Sequence, residues 1–545
     1  MTEIQSGETE KKRSWRDHLR VLLKRFRLVV WWEIYRRFPN QHRSEADRKF
    51  EIEHDADENE KIRIDSEEDL LVPIIWATEV FGPSEIDSFY GHMKNLGWSK
   101  NPSRTDCGPA KWIAEQRLYG FGGSYNIGVV TRAKSKSFSH IQYFAPLPDE
   151  VDYLDVMIRQ VSTSVTCVTI GFFLKPVPRT WYREELNRDR KTFRRAIPAS
   201  RTITILSPEN QKHESISKVR AQYRAVATEW FKEHMAGFFS RQGNDNLLPT
   251  AELLTCMHTT LLTGLSDARR LHRPRWLHTL LPIGMWEVWT NTSLPALRLT
   301  LDEFENESRH HAVFALTTSQ VSPEALVPYG GASVESYASY VHNHVNELLA
   351  HHATLAYLTE AARIVKRNRE KLKPNHKSDK VETALEVIAG FFQESAGFPA
   401  VAEDLLKRGA SPIWLNACAL FVTQDRHGAE NRTYTLAEAL ASRTHGLAQH
   451  LSEGESSTRE QFEQFASILS IKESVRAQKK TEVLTVLALV VAFLSLLAAL
   501  QPLSEWRKDL RKWAVEAATL TAALKLPTKQ PHSPGTSTPN QLSKH

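Results

Sequence analysis

The chain has 545 residues, of which 41% are hydrophobic and 25% are charged, and its formal net charge is +6. These values are ordinary for a folded protein of two to four domains and exclude a chain that is disordered throughout. The four cysteines are far apart and form no CxxC pair, which excludes the common zinc and redox motifs and predicts reduced, buried thiols: Cys107, Cys167, Cys256 and Cys418.

Residues 1–47 contain a basic amphipathic segment. Between residues 11 and 43, eleven Lys and Arg face two acids, a balance of 11 − 2 = +9, so the rest of the chain sums to 6 − 9 = −3. On a helix the apolar and basic side chains fall on opposite faces, and aromatic rings follow, a pattern typical of a helix in a membrane interface. Docking on the protein's own core and a nucleic-acid-binding arm are the alternatives. The predicted membrane-surface residues are Arg13, Trp15, Arg16, Leu19, Arg20, Lys24, Phe26, Arg27, Trp31 and Trp32.

Residues 48–69 form an acidic segment. From residue 51 to residue 69 the chain carries ten acids against Lys61 and Arg63. Such runs of like charge usually stay in solvent, so the sequence predicts a solvated linker. Folding back onto the basic helix, in competition with anionic lipid, is the alternative.

Two larger regions follow. Residues 70–208 alternate strand-like and helix-like stretches, which predicts an N-terminal domain of the α/β or α+β class. Residues 209–455 predict a mainly helical region of long, apolar-striped segments. One candidate strand pair interrupts it, formed by the stretches ALRLTLDEF and HAVFALTTSQV.

Residues 456–482 predict a long stalk helix. No Gly or Pro lies between Gly454 and Pro502, and Ser457-Thr458-Arg459-Glu460 fits a capping box that would begin the helix. The apolar side of this helix needs a partner, either within the chain or in a second copy of it. That side consists of Phe462, Phe465, Ile468, Leu469, Ile471 and Val475.

Residues 483–503 predict one C-terminal transmembrane helix. The first eighteen residues of this uncharged run carry only Thr485 and Ser495 as polar side chains. About 20 apolar residues are enough to cross the roughly 30 Å hydrocarbon core of a bilayer. A fully buried core helix is the alternative. Small side chains form a packing face on the span where another helix can approach: Ala488, Ala492, Ser495 and Ala499.

Beyond the span, Pro502 breaks the helix and Ser504 can cap another. Residues 504–527 predict an amphipathic interfacial helix, with a short second pass over 513–526 as the alternative. Residues 528–545 are rich in Pro, Ser and Thr and predict a disordered tail.

The predicted location is a membrane that the chain crosses once, with the bulk of the chain cytoplasmic; in a bacterium this would be the inner, or cell, membrane. Lys and Arg flank the span equally, so local charge does not orient it. The basic N-terminal segment favours the anionic cytoplasmic leaflet. Its longest uncharged run, residues 28–32, is too short for a cleavable signal peptide.

No enzyme motif stands out. The glycine-rich stretch YGFGGSYNIG precedes a strand, whereas phosphate-binding loops follow one, so a tight turn is favoured. His344 and His351 share a helix face about 10 Å apart along the axis, too far to bind one metal ion. We predict no metal and no cofactor. Among Arg–His pairs with nuclease-like spacing, Arg443–His450 is the best placed.

The layout of the chain resembles that of CorA-type divalent-cation channels, mainly over residues 457–500. A compact domain and a helical region are followed by a long stalk helix that runs into a C-terminal span. The resemblance implies an oligomeric pore. The Gly-Met-Asn signature of that family is replaced here by Gln501-Pro502-Leu503, and a clear second span is missing.

We therefore expect a membrane-anchored protein with a large cytosolic domain that acts as a sensor, scaffold or membrane effector. Its expected partners are the lipid bilayer, anionic lipid headgroups and a second copy of the chain; nucleic acid is less favoured. One alternative function is an oligomeric pore or ion transporter with the CorA-like layout. Another is a membrane-tethered nuclease or other hydrolase, for example in cellular defence.

Overall fold

The computed structural model describes sixteen parts of the chain, which form two compact units, Met1–Glu460 and Gln461–His545. The described residues are 19–30, 32–34, 37, 45–100, 108–120, 122–132, 143–197, 202–243, 248–264, 273–281, 287–301, 310–371, 381–408, 415–423, 433–500 and 506–523. The predicted disordered tail and four predicted membrane-surface residues, Arg13, Trp15, Arg16 and Trp31, lie outside them.

A large mixed sheet forms the centre of the first unit. Among the described residues it has eleven strands, in the spatial order β13-β12-β9-β10-β11-β8-β1-β5-β4-β2-β3, and β6 and β7 form a separate pair. The strands are β1 (Ile74–Phe81), β2 (Gly123–Thr131), β3 (Tyr143–Phe144), β4 (Val151–Gln160), β5 (Thr166–Leu174), β6 (Phe193–Ile197), β7 (Thr202–Leu206), β8 (Thr250–Cys256), β9 (Trp289–Asn291), β10 (Leu297–Thr300), β11 (His311–Thr317), β12 (Phe421–Thr423) and β13 (Tyr434–Thr435).

The α-helices are numbered in chain order. They are α1 (Glu45–Ile62), α2 (Ile86–Asn95), α3 (Pro109–Tyr119), α4 (Pro176–Arg179), α5 (Trp181–Asn187), α6 (Pro208–His234), α7 (Phe238–Arg241), α8 (Arg275–Leu280), α9 (Pro323–Leu326), α10 (Val334–Lys371), α11 (Val381–Ser395), α12 (Phe398–Arg408), α13 (Asn416–Ala419), α14 (Leu436–Leu500) and α15 (Trp506–Ala523). Residues 19–30 are also helical.

Helices cover both faces of the central strands. Phe173 of β5 contacts His342 of α10, whereas the preceding Phe172 contacts Trp230 and Phe231 of α6. Successive side chains of a strand point to opposite faces, so α10 and α6 lie on opposite sides of the sheet. Every residue of β1, β5, β8 and β11 is buried for this reason, which explains their nearly continuous apolar runs.

Strands from both predicted regions lie in one sheet. β1 is antiparallel to β5 and to β8, and β8 is parallel to β11. The stretches that suggested a strand pair contain β10 and β11, which are antiparallel with Leu297 opposite Leu316. The predicted fold class, a mixed α and β architecture with a long C-terminal helix, is therefore confirmed.

The acidic segment is not a linker, so that prediction is wrong. Much of it is helix α1, and its carboxylates find partners far along the chain. Asp55 accepts a hydrogen bond from the backbone N–H of Thr192 at 2.8 Å, and Glu51 pairs with Arg194 at 2.9 Å. Burying an acid is tolerated once it is paired, and a local count of like charges cannot show such distant partners.

The long helix α14 begins at Leu436 and not at Ser457. Its capping box is formed by Thr435 and Glu438: the Glu438 N–H donates to Thr435 Oγ1 at 3.2 Å, and the Thr435 N–H donates to Glu438 Oε2 at 3.1 Å. Ser457 lies inside the helix. At the start of the glycine-rich stretch, Gly120 ends α3 in the left-handed conformation, and β2 begins at Gly123.

Candidate membrane-contacting site and buried polar clusters

The apolar end of α14 is the strongest candidate for a functional element. Among the described residues, α14 is one helix long and apolar enough to cross a membrane, by length and composition. No residue of its most apolar stretch is buried by the protein, and Leu484 and Leu489 are 68% and 65% exposed. A core helix would be covered by its own chain, so the described structure does not favour that alternative.

The hydroxyl groups in this stretch bond to their own helix. Thr485 Oγ1 donates to the carbonyl of Thr481 at 2.8 Å, and Ser495 Oγ donates to the carbonyl of Val491 at 2.8 Å. A polar donor in hydrocarbon is costly unless it has an acceptor, and here the helix backbone supplies one. The two polar side chains are therefore compatible with a lipid environment.

The predicted packing face also lies on this helix. Ala488, Ala492 and Ser495 are exposed, and Ala499 belongs to the same helix. Spacings of four, three and four residues place all four positions on one side of a helix. Of the predicted stalk side chains, Phe462 is buried whereas Ile468, Ile471 and Val475 are exposed.

The basic N-terminal segment is helical over residues 19–30 in the first unit. Among the described residues of the predicted surface, Leu19, Arg20, Lys24, Phe26 and Arg27 are exposed on it, and Trp32 follows half-buried. Phe26 is 67% exposed. An amphipathic helix whose apolar side remains in solvent is typical of a segment that binds another surface.

The helix predicted over residues 504–527 is observed as α15. Its described apolar side chains Trp513, Val515 and Leu520 are exposed. It belongs to the second unit, as does the apolar end of α14.

A buried ionic cluster lies between β8 and α6. The carboxylate of Glu252 on β8 accepts hydrogen bonds from Arg220 Nε at 3.0 Å and from the Tyr182 hydroxyl at 2.7 Å, and the His311 ring lies 3.7 Å away. Burial raises the pKa of Glu252, but the Arg220 charge and these contacts outweigh it and hold that pKa at about 2. All four side chains are buried, so a soluble substrate cannot reach them and the cluster serves the fold.

On the other face of the sheet, Trp76 and His342 form a second buried set with the partly buried Asp155. Trp76 Nε1 donates to His342 Nδ1 at 2.8 Å, and His342 Nε2 lies 3.4 Å from Asp155 Oδ2. The imidazole therefore carries its hydrogen on Nε2 when neutral. Gly171 allows this arrangement, because a Cβ there would lie 3.0 Å from His342 Nδ1 and 2.9 Å from the Ile74 side chain.

His352 is buried on α10. Burial lowers its pKa to about 3, and nearby positive charges act in the same direction. A buried neutral imidazole of this kind is a structural histidine, and its protonation opposes folding.

Acid is therefore expected to destabilise the protein partly through His352. The unfolded side chain binds a proton near pH 6.5, but the folded one does so only near pH 3. The contribution is complete above about pH 6.5 and is lost as the pH falls towards 3; the loss amounts to about 2 kcal/mol at about pH 5. His352→Leu should remove it, as measured by urea unfolding of the full chain in detergent. Leu349→Ile, a neighbouring buried position, controls for repacking; an unchanged pH dependence in His352→Leu would contradict the expectation.

A surface groove of about 260 Å³ lies between α10 and α14 in the first unit. Lys366, Arg369 and His450 line it, together with Glu453 and Ser457. The Arg443–His450 pair is not the combination that meets here, since Arg443 pairs with Glu287 at 3.5 Å. Lys366, Arg369 and His450 are all exposed, and the nuclease hypothesis stays a prediction.

Sequence reasoning missed both buried sets because their members lie far apart in the chain. Arg220 and Glu252 are 32 residues apart, and Trp76 and His342 are 266 residues apart. One sequence feature could have indicated the ionic cluster: Glu252 is a charged residue inside the otherwise uncharged strand TAELLTC. Of the four cysteines, Cys167, Cys256 and Cys418 are free and buried, and Cys107 lies outside the described residues.

No protein-family model and no curated protein matches this chain.

Proposed function

We propose that this chain is a single-pass membrane protein whose folded body works at the membrane surface as a sensor or scaffold. The observation that carries the proposal is the apolar end of α14, which is helical, uncharged and uncovered by protein, and whose hydroxyls are satisfied by the helix itself. Such a segment is unstable in water and stable in hydrocarbon.

The body is proposed to lie in the cytoplasm. Three free, buried cysteines suit a reducing compartment. The exposed basic helix over residues 19–30 suits the anionic lipids of the cytoplasmic leaflet. Its apolar side chains would enter the headgroup layer, while Arg20, Lys24 and Arg27 would meet lipid phosphates.

A sensing or scaffolding role is favoured over catalysis. Two ionisable groups with strongly shifted pKa values, Glu252 and His352, are buried away from solvent. The exposed apolar surfaces lie instead on helices suited to bind a membrane or another helix.

The anchoring can be tested by membrane fractionation. The full chain is expected to stay in the membrane pellet after washing with high salt and with alkaline carbonate, because apolar burial does not depend on charge. A chain that ends at Lys480 should be released by the same washes. Protease protection of both termini tests the cytoplasmic placement. Recovery of the full chain in the soluble fraction would disprove the anchor.

The basic helix gives a separate prediction. The chain ending at Lys480 should bind vesicles containing anionic lipid and should bind less as salt is added, since headgroup contacts are screened over about 10 Å at 0.1 M ionic strength. Changing Arg20, Lys24 and Arg27 together to Gln should weaken the binding, as measured by vesicle co-sedimentation. The control changes Lys407, an exposed lysine on α12 paired with Glu403, to Gln. Equal binding to neutral and anionic vesicles would contradict the electrostatic part.

A further inference from the structure

Helix α1 brings together three side chains that suit a divalent metal ion. His54, Asp55 and Glu58 each offer one ligand atom, and these atoms all lie within 4.8 Å of one another. His54 Nδ1 is 3.9 Å from Glu58 Oε2. Two ligand atoms about 2.1 Å from one ion at a tetrahedral angle lie about 3.4 Å apart. The distance between His54 Nδ1 and Glu58 Oε2 is slightly longer than this, and a small rotation of the half-exposed His54 ring would shorten it.

Glu58 Oε2 faces His54 in this cluster and has no hydrogen-bond partner among the described residues. The Glu58 side chain is 6% exposed. Its contacts with His54 and Arg275 are both 3.9 Å long. A buried carboxylate oxygen in this state is costly, and a cation would compensate for it.

The surroundings hold the other two ligands in place. Thr192 donates its backbone N–H to Asp55 Oδ2 at 2.8 Å and its hydroxyl to Oδ1, which orients the carboxylate and leaves further lone pairs for an ion. The His54 ring packs against Phe50 with centroids 5.6 Å apart.

The local charge also favours a cation. Arg275, the positive group nearest to Glu58, pairs at 3.0 Å with Glu209. Arg275 is therefore shared between Glu58 and Glu209, and it lies closer to Glu209. His54 is half-exposed, which gives an ion a path from solvent.

We infer that His54, Asp55 and Glu58 form a binding site for a first-row divalent metal ion of the zinc class. One imidazole nitrogen and two carboxylate oxygens are ligands that zinc accepts, whereas magnesium and calcium prefer oxygen ligands only. Three protein ligands leave a further position for water. The sequence prediction of no metal considered the histidines of α10, and α1 had been read as a linker.

The inference is tested by isothermal titration of zinc into the full chain. The chain is purified in detergent without a tag and is first treated with a chelator to remove bound metal. The parent chain is expected to bind one zinc ion at this site, and His54→Ala and Glu58→Gln should each weaken that binding at least tenfold. His234→Ala is the matched control, because His234 pairs with Glu233 at 3.7 Å but belongs to no such three-residue group among the described residues. It should leave the affinity unchanged.

Thermal unfolding separates a metal site from a merely structural ion pair. Zinc should raise the unfolding temperature of the parent and of His234→Ala, and should not raise that of His54→Ala or Glu58→Gln. His54 is half-exposed, so His54→Ala decides the question if Glu58→Gln does not fold. Absence of zinc binding in the parent, or equal binding in the parent and His54→Ala, would overturn the inference.

Discussion

Replacing Glu252 with alanine is expected to lower the free energy of unfolding by about 3–5 kcal/mol, because the change removes the buried carboxylate that pairs with Arg220 at 3.0 Å. Arg220 is 1% exposed and Glu252 is fully buried. Water therefore cannot replace the lost carboxylate. Urea unfolding of the full chain in detergent, followed by tryptophan fluorescence, measures the effect.

Two controls separate the loss of the pair from other effects. Glu403→Ala removes an exposed ion pair with Lys407 and should cost less than about 1 kcal/mol. Glu252→Leu combined with Arg220→Met removes both charges and should recover most of the loss. If Glu252→Ala were no more destabilising than Glu403→Ala, the ionic cluster would not hold the fold.

The same pair predicts sensitivity to strong acid. The folded pKa of Glu252 lies at about 2, below its usual value of 4.5, so its stabilising contribution is present above about pH 4.5 and is lost as the pH falls towards 2. The His352 contribution disappears over a higher range, between pH 6.5 and about pH 3. Acid unfolding should therefore proceed over a wide pH range.

Two arginines in the span are expected to abolish stable membrane insertion. The twelve Val, Leu and Phe side chains between residues 483 and 500 together favour insertion by about 4–7 kcal/mol, whereas two central arginines oppose it by about 5–7 kcal/mol. Val490→Arg combined with Leu494→Arg places both charges away from the small-residue face. The variant should be extracted by alkaline carbonate while the parent stays in the pellet.

The matched control changes the small-residue face and keeps the apolar character. Ala492→Leu combined with Ser495→Leu should insert as well as the parent, because Leu is favourable in lipid. The same control should weaken any self-association through that face, as measured by cross-linking in native membranes, because bulky side chains keep helix backbones apart. Membrane retention of the double-arginine variant would show that α14 is not the anchor.

Local patterns were sufficient for the elements whose stability depends on their own composition. An uncharged apolar run is long enough to cross a bilayer whatever surrounds it, and the amphipathic pattern around Phe26 is visible in a single helix. The buried strands β1 and β5 were likewise recognisable, because helices on both faces require apolar side chains at successive positions.

Only the folded chain decided how distant segments pair. β1 pairs with β8, which places strands from both predicted regions in one sheet. Nothing in the sequence of either strand indicates which strand it pairs with. Helix α1 looked like a solvated linker because its acids were counted without Thr192 and Arg194, which pair with Asp55 and Glu51. Two capping boxes were available for α14, at Thr435 and at Ser457, and the structure uses the one at Thr435. Hydrogen bonds and ion pairs between distant residues depend on tertiary packing, and a local sequence pattern contains no record of that packing.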